Sequence, residues 1–165
     1  MIEFLVKTIV PMLESTAIHV FVVGNAWVWP LMETLHFLGL ILLLGALLII
    51  DLALIGVLKK LSSDATHRLL KLVLIGFVLN LVTRVLFVFG DPGRYFINIA
   101  FQIKVALLVC AALNALWYGR KIAPKLVNVS EFLATGETKI VGALSLILWF
   151  AVLIFGRLIP YMGTG

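Results

Sequence analysis

The chain has 165 residues, of which 63% are hydrophobic and 13% charged, with a formal net charge of +5. A soluble domain carries roughly 45–50% apolar and about 25% charged residues, so this chain has too little polar surface to face water on all sides and reads as one integral membrane domain over residues 1–165. That composition excludes a disordered chain, a disulfide scaffold and a nucleic-acid binder, and the single cysteine, Cys110, allows neither an intrachain disulfide nor a cysteine-based metal site.

Residues 1–28 read as an interfacial segment. Ile2, Leu5, Val6, Ile9, Met12 and Leu13 follow helical spacing on one side, with Glu3, Lys7 and Glu14 on the other, the pattern of a helix lying in the membrane surface over the mouth of a bundle. Pro11 and the charges make it a poor span. Its acidic start, with no clean apolar core behind it, makes it a poor signal peptide. Trp27 and Trp29 are placed as interfacial anchors.

A crossing helix needs about 20 mostly apolar residues, and four stretches qualify, at about residues 30–58, 69–90, 96–118 and 140–161. The Asp91-Pro92-Gly93 turn signal makes the second and third of them an antiparallel hairpin. In the first span, Gly39, Gly45 and Gly56 are small residues of the kind that let helices approach closely. The fold class is all-α, an integral membrane four-helix bundle with an N-terminal interfacial amphipathic helix.

Charge bias gives the orientation. If the first loop is cytoplasmic, that side carries Lys59, Lys60, Arg68, Lys71, Arg120, Lys121, Lys125 and Lys139, and the other keeps Lys7, Arg94 and Arg157. Lysine and arginine are enriched on the cytoplasmic side, so both termini face outward. The net charge is then an orientation signal before it is a sign of any acidic partner.

Ionisable side chains at bilayer depth mark sites, pathways or paired structural contacts. Glu33, His36 and Asp51 lie in the first span, Asn80 and Arg84 in the second, Asn98, Gln102 and Lys104 in the third, and Arg157 in the fourth. At a rise of about 1.5 Å per residue, His36 and Arg84 are each roughly 9 Å below the outer end and Lys104 roughly 12 Å. Four helices thus bring Glu33, His36, Arg84, Asn98 and Lys104 to the outer half. Asp51, Lys71 and Asn114 form a second, sparser polar level toward the cytoplasmic side. Three readings compete. The first is an ion-pair network of Glu33, Arg84, Lys104 and Arg157 that holds the helices in register. The second is a site for a polar, redox-active or anionic ligand, and the third is snorkelling of Arg157 and Lys104 to the headgroups.

His36 and His67 lie at opposite ends and cannot share a haem. His19 and His36 lie on the same side and form the candidate metal pair, provided the N-terminal segment folds over the mouth. Met12, Met32 and Met162 are outer-side thioethers without the clustering a copper site needs. Haem b or a quinone is the candidate cofactor. For a quinone, His36 or Glu33 would handle the proton, with Arg84 or Lys104 as cationic donor. No hydrolytic or nucleotide-dependent motif is present, and Cys110 reads as an inert mid-span residue.

The run "WPLMETLHFLGLILLLGALLIIDLALIG" (Trp29 to Gly56), then "GDPGRYFINIAFQIK" (Gly90 to Lys104) and Asn114, resembles a family of small bacterial inner-membrane proteins of unknown function. The shared pattern is an aromatic-Pro pair, Glu-x-x-His, Asp-Leu, and Asn-x-x-Phe-x-x-Lys, which falls here on Pro30, Glu33, His36, Asp51, Asn98, Phe101 and Lys104, within about residues 25 to 120. The resemblance implies a four-helix bundle in the bacterial inner membrane and no established activity. Two positions depart from it: Ala53 stands where the family places an arginine after Asp-Leu, and Arg84 where it places a small residue. A looser likeness to four-helix b-type cytochromes and copper-resistance membrane proteins rests on architecture alone.

The leading functional expectation is a membrane binding or electron-transfer component with its site in the outer half. There His36 would act as ligand or proton-transfer group, Glu33 would orient it, and Lys104 and Arg84 would donate to a propionate, a quinone oxygen or another anion. The alternatives are a proton, metal or small-solute pathway along Glu33, His36 and Asp51, and a purely structural subunit. The lipid bilayer is the expected partner, with a homo-oligomer or a larger membrane complex as the assembly.

Overall fold

The computed structural model describes residues 5–58, 61–124 and 135–162. A π-helical turn (Leu5–Ile9) leads into α1 (Val10–Glu14) and α2 (Ala17–Gly24), followed by α3 (Val28–Ile55), α4 (Ser63–Gly90), α5 (Pro92–Phe96) and α6 (Ile99–Trp117); a second π-helical turn (Tyr118–Ile122) extends α6, and α7 (Gly136–Leu158) closes the order. Among the described residues there is no strand. Helices α3, α4, α6 and α7 are each long and apolar enough to cross a membrane, which gives the four-helix, all-α architecture expected.

Helix ends are set by caps rather than by hydropathy. Ser62 and Thr135 accept from the backbone N–H groups of Ala65 and Thr138 at 3.2 and 3.4 Å, so α4 and α7 begin several residues before their apolar runs. Asn98 accepts from Phe101 N–H at 3.2 Å and delays the start of α6 to Ile99. Gly56 takes a left-handed φ of 90°, where a side chain would be strained, and its N–H returns to the Ala53 carbonyl at 3.1 Å, ending α3 at Ile55. Asp91 caps the short helix α5 through Arg94 N–H at 3.2 Å and pairs with the Arg94 guanidinium at 3.0 Å. The Asp-Pro-Gly run therefore opens a helical turn where a simple reverse turn was expected.

The packing order differs from the chain order. α4 packs along α3, α3 on α7, and α7 on α6, whereas α4 and α6 share no extended contact although they are joined by the hairpin. A glycine pair explains the closest approach. A Cβ on Gly76 would lie 2.6 Å from the carbonyl oxygen of Gly39, and one on Gly39 would lie 2.5 Å from Asn80 Nδ2, so the α3 and α4 backbones meet there as only glycines allow. Gly45, expected to do the same, has open space around it. α6 and α7 are clamped at each end by an asparagine: Asn98 Nδ2 donates to the carbonyls of Ile159 and Met162, and Asn114 Nδ2 to that of Val141 at 3.1 Å.

The opening segment is broken rather than continuous. Ser15 and Thr16 donate back to the carbonyls of Met12 and Leu13 at 2.8 and 2.6 Å, and Thr16 then accepts from His19 N–H, which ends one helix and starts the next. Val10 and Val22 are buried, and the segment leans on α4 and α5. Ile2, Glu3, Lys59, Lys60 and Lys125, used in the amphipathic and charge-bias readings, lie outside the described residues.

Candidate functional site

At the end of the bundle that carries α5, the hairpin end, α3 and α7 enclose a cavity of about 880 Å³. Its sides are apolar, with Phe37, Leu40 and Leu44 from α3 and Trp149, Val152 and Leu153 from α7. Its polar groups come from all four long helices: Glu33 and His36, Arg84, Lys104 and Arg157. At the opposite end the same two helices close together, because Gly142 brings α7 against the Asp51 carbonyl, where a Cβ would stand only 2.9 Å away.

His36 is held by hydrogen bonds that fix its tautomer. Its Nδ1 lies 2.8 Å from Thr83 Oγ1, and that hydroxyl donates back to Leu79 O at 2.8 Å. On the other side Nε2 faces Arg84 Nη2 at 3.4 Å. A guanidinium can only donate, so Nε2 carries the lone pair and Nδ1–H donates to Thr83, an assignment made from this network. Thr83 is 1% exposed, which locks the ring against α4. The imidazole also stands edge-on to Phe87, with centroids 5.7 Å apart.

Arg84 is positioned by aromatic rings on two sides, with Cζ 5.7 Å from the Phe87 centroid and 5.6 Å from that of Tyr95. Its Nε is buried without a hydrogen-bond partner. Tyr95 is buried, which raises its phenol above the ordinary range, while the guanidiniums of Arg84 and Arg94 act against that shift. Lys104 is 8% exposed and lies against the backbone of α7, where a Cβ on Gly156 would stand 2.8 Å from its Nζ. Glycine at 156 thus leaves the room that the ammonium occupies.

Neither cation has a carboxylate within ion-pairing distance among the described residues, whose ion pairing at this end is that of Asp91 with Arg94. Glu33 is exposed at the rim, and its Oε1 accepts from Trp29 Nε1 at 3.2 Å. Arg157 is exposed and donates to Tyr161 OH at 3.2 Å. The ion-pair network of Glu33, Arg84, Lys104 and Arg157 is therefore not formed.

The other expected residues are placed as follows. Asn98 is 0% exposed, and both ends of its amide are committed to the α6 cap and the end of α7. It anchors the helix that carries Lys104 and does not line the cavity. Gln102 is exposed and donates to Phe96 O. His19 donates from Nδ1 to Phe89 O at 2.7 Å and is absent from the cavity lining, so His19 and His36 do not face one space, and no described residue of the N-terminal segment lines the cavity. Among the described residues no group of three or more His, Cys, Asp or Glu side chains could hold a metal ion.

At the second level Asp51 (3% exposed) and Asn114 are buried, while Lys71 is exposed and does not belong with them. Ser145, not singled out in the sequence, stands beside the Asp51 carboxyl. Asp51 Oδ2 and Asn114 Oδ1 are buried without donors.

Thr83, Phe87, Tyr95, Trp149 and Gly156 were also missed as site residues. For the first two a signal was available: Gly76, Asn80, Thr83, Arg84 and Phe87 recur at helical spacing on one face of the second span. Comparison with family models, with curated proteins and with solved structures finds no match for this chain.

Proposed function

We propose that this protein is a membrane binding component whose hairpin-end cavity takes up a ligand from the bilayer. The ligand has an apolar body and a head that accepts hydrogen bonds, as a quinone, a haem propionate or another anion does. One observation carries this reading: Lys104, 8% exposed and lining the cavity, makes no hydrogen bond or ion pair among the described residues, and beside it the buried Nε of Arg84 has no acceptor. A buried cation without a partner is costly, and a ligand that supplies the acceptors removes that cost. The cavity size falls in the range of small-molecule sites, about 300–1,000 Å³.

His36 serves this site by holding Arg84 through Nε2. To ligate a haem iron it would have to release that contact, so a quinone or anion fits better than haem. With the orientation given by the Lys/Arg bias, the site lies in the outer half of a bacterial inner membrane. The test is saturable binding of quinone to the purified chain in lipid nanodiscs, together with an absorption spectrum before and after dithionite. Binding that Arg84→Gln and Lys104→Met both weaken supports the reading. Wild-type protein that saturates with neither a quinone nor an anionic amphiphile, and has no reducible bands, overturns it.

A proton or small-cation pathway is the second reading, and one observation favours it. Asp51 keeps an unpartnered buried oxygen and lines a smaller cavity of about 230 Å³ that shares walls with the first. Proton flux in liposomes that Asp51→Asn suppresses would support it, and a flat trace from wild type would remove it.

A further inference from the structure

The two cavities are parts of one groove. Both are walled by Leu44, Gly45, Trp149 and Leu153, and together they run between α3 and α7 from His36 to the level of Asp51, about 22 Å along the helix axis at the α-helical rise. The groove changes character along this length. It starts at Arg84 and Lys104, with Glu33 and Arg157 at the exposed rim engaged by Trp29 and Tyr161, continues between leucines and Phe150, and reaches Asp51 at its inner end. Gly45 stands midway, where a Cβ would touch nothing within 4 Å. A side chain at 45 is thus not excluded by packing, and its absence leaves the groove open.

Two cations at one end of a narrow apolar groove, with no carboxylate paired to either among the described residues, are complementary to one kind of molecule. We propose that the groove holds a single-chain amphiphile with an anionic phosphate or carboxylate head at Arg84 and Lys104 and its tail between α3 and α7. This deepens the binding reading above and rests on it. Charge selects the head: a neutral quinone oxygen can accept hydrogen bonds but leaves both charges uncompensated, whereas an anion forms the stronger charge-assisted bonds. Groove shape selects the tail: the space falls from about 880 Å³ to about 230 Å³ along its length before the two helices come together at Gly142, a taper that suits one chain.

Trp149 lines both cavities, so its fluorescence reports occupancy. The full chain, in nanodiscs of zwitterionic phosphatidylcholine, is titrated with brominated chains of one length ending in a carboxylate, a phosphate or an alcohol, with a long-chain quinone, and with inorganic phosphate as competitor. Saturable quenching by both anionic chains, at least about tenfold tighter than by the alcohol or the quinone, is expected, and Trp149→Phe should abolish it. Lys104→Gln should bring the anionic chains to the alcohol's affinity. Gly45→Phe should block all chains with no change in helix content, so the proposal stays testable if the lysine variant fails to fold. If only one anionic chain binds tightly, that chain identifies the head as carboxylate or phosphate.

Equal affinity for alcohol and anion, or quenching untouched by Gly45→Phe, overturns the proposal. Inorganic phosphate competing as well as the chains would show that the tail is not bound, and overturns it too. A quinone that binds as tightly as the anions overturns it while leaving the proposed function intact. No saturable binding by any of these molecules overturns both.

Discussion

The two polar levels of this bundle are opposites. At the hairpin end the unpartnered groups are donors: Arg84 Nε, buried without an acceptor, and Lys104, which makes no hydrogen bond or ion pair among the described residues. Both stand at a cavity of about 880 Å³, and the buried, unpartnered Asn80 Oδ1 lies one turn further along α4. At the other end they are acceptors, Asp51 Oδ2 and Asn114 Oδ1, and they sit where α3 and α7 close on Gly142. Buried polar groups in proteins are nearly always satisfied, so each level calls for something of complementary character. The open level has room for a molecule with a head and a tail. At the other level Asp51 lines only the smaller inner cavity of about 230 Å³, beyond which α3 and α7 close on Gly142. Cavity shape thus separates two levels that look alike in composition.

That contrast can be broken in order of expected effect. Gly76→Leu should be the most damaging, because its Cβ would fall 2.6 Å from the α3 backbone; it should cost about 3 kcal/mol or more by overpacking, read as loss of the folded species in thermal unfolding. Both levels would be lost together, since α3 carries a residue of each. Asn98→Ala should cost about 2 kcal/mol by removing a cap and the clamp between α6 and α7, while the remaining folded protein binds ligand as before. Loss of binding at full stability would instead make Asn98 a contact residue.

Gly156→Ala is the sharper probe of the open level. Its methyl displaces only the flexible end of Lys104, so thermal stability should change by less than about 1 kcal/mol while ligand affinity falls several-fold in titration. Lys71→Ala should be the mildest: the side chain is exposed, and unfolding should stay within about 0.5 kcal/mol of wild type, with ligand binding unchanged. A larger loss would restore Lys71 to the closed level from which its exposure removes it.

Much of this was readable from the residues. Hydropathy alone finds the four long helices, and depth counting brings His36, Arg84 and Lys104 to one level. Helix ends were displaced because Ser62, Asn98 and Thr135 act as caps, and a polar residue at a span boundary reads equally well as a cap or as a ligand. By that ambiguity the sequence places Asn98 among the site residues, whereas its amide is spent on the α6 cap and the end of α7. The neighbour order was not legible either. Chain continuity favours α4 beside α6, but the backbone contact of Gly39 and Gly76 fastens α4 to α3, and two asparagines fasten α6 to α7. The absence of an ion-pair network follows from that order. Glu33 is turned to Trp29 at the rim, out of pairing distance of Arg84 and Lys104.

On the reading proposed above, Lys104 is retained for a ligand and not for the fold. Intact-complex mass spectrometry of wild type and Lys104→Met released from the membrane, paired with their thermal midpoints, tests it most directly. An amphiphile should be retained by wild type and lost from Lys104→Met, and once wild type has been stripped of it by exhaustive detergent exchange, the Lys104→Met midpoint should equal or exceed that of wild type, because a buried unpaired charge has been removed. A wild-type protein that carries no bound molecule, together with a lowered midpoint in Lys104→Met, would contradict it and make the lysine a structural element of the bundle.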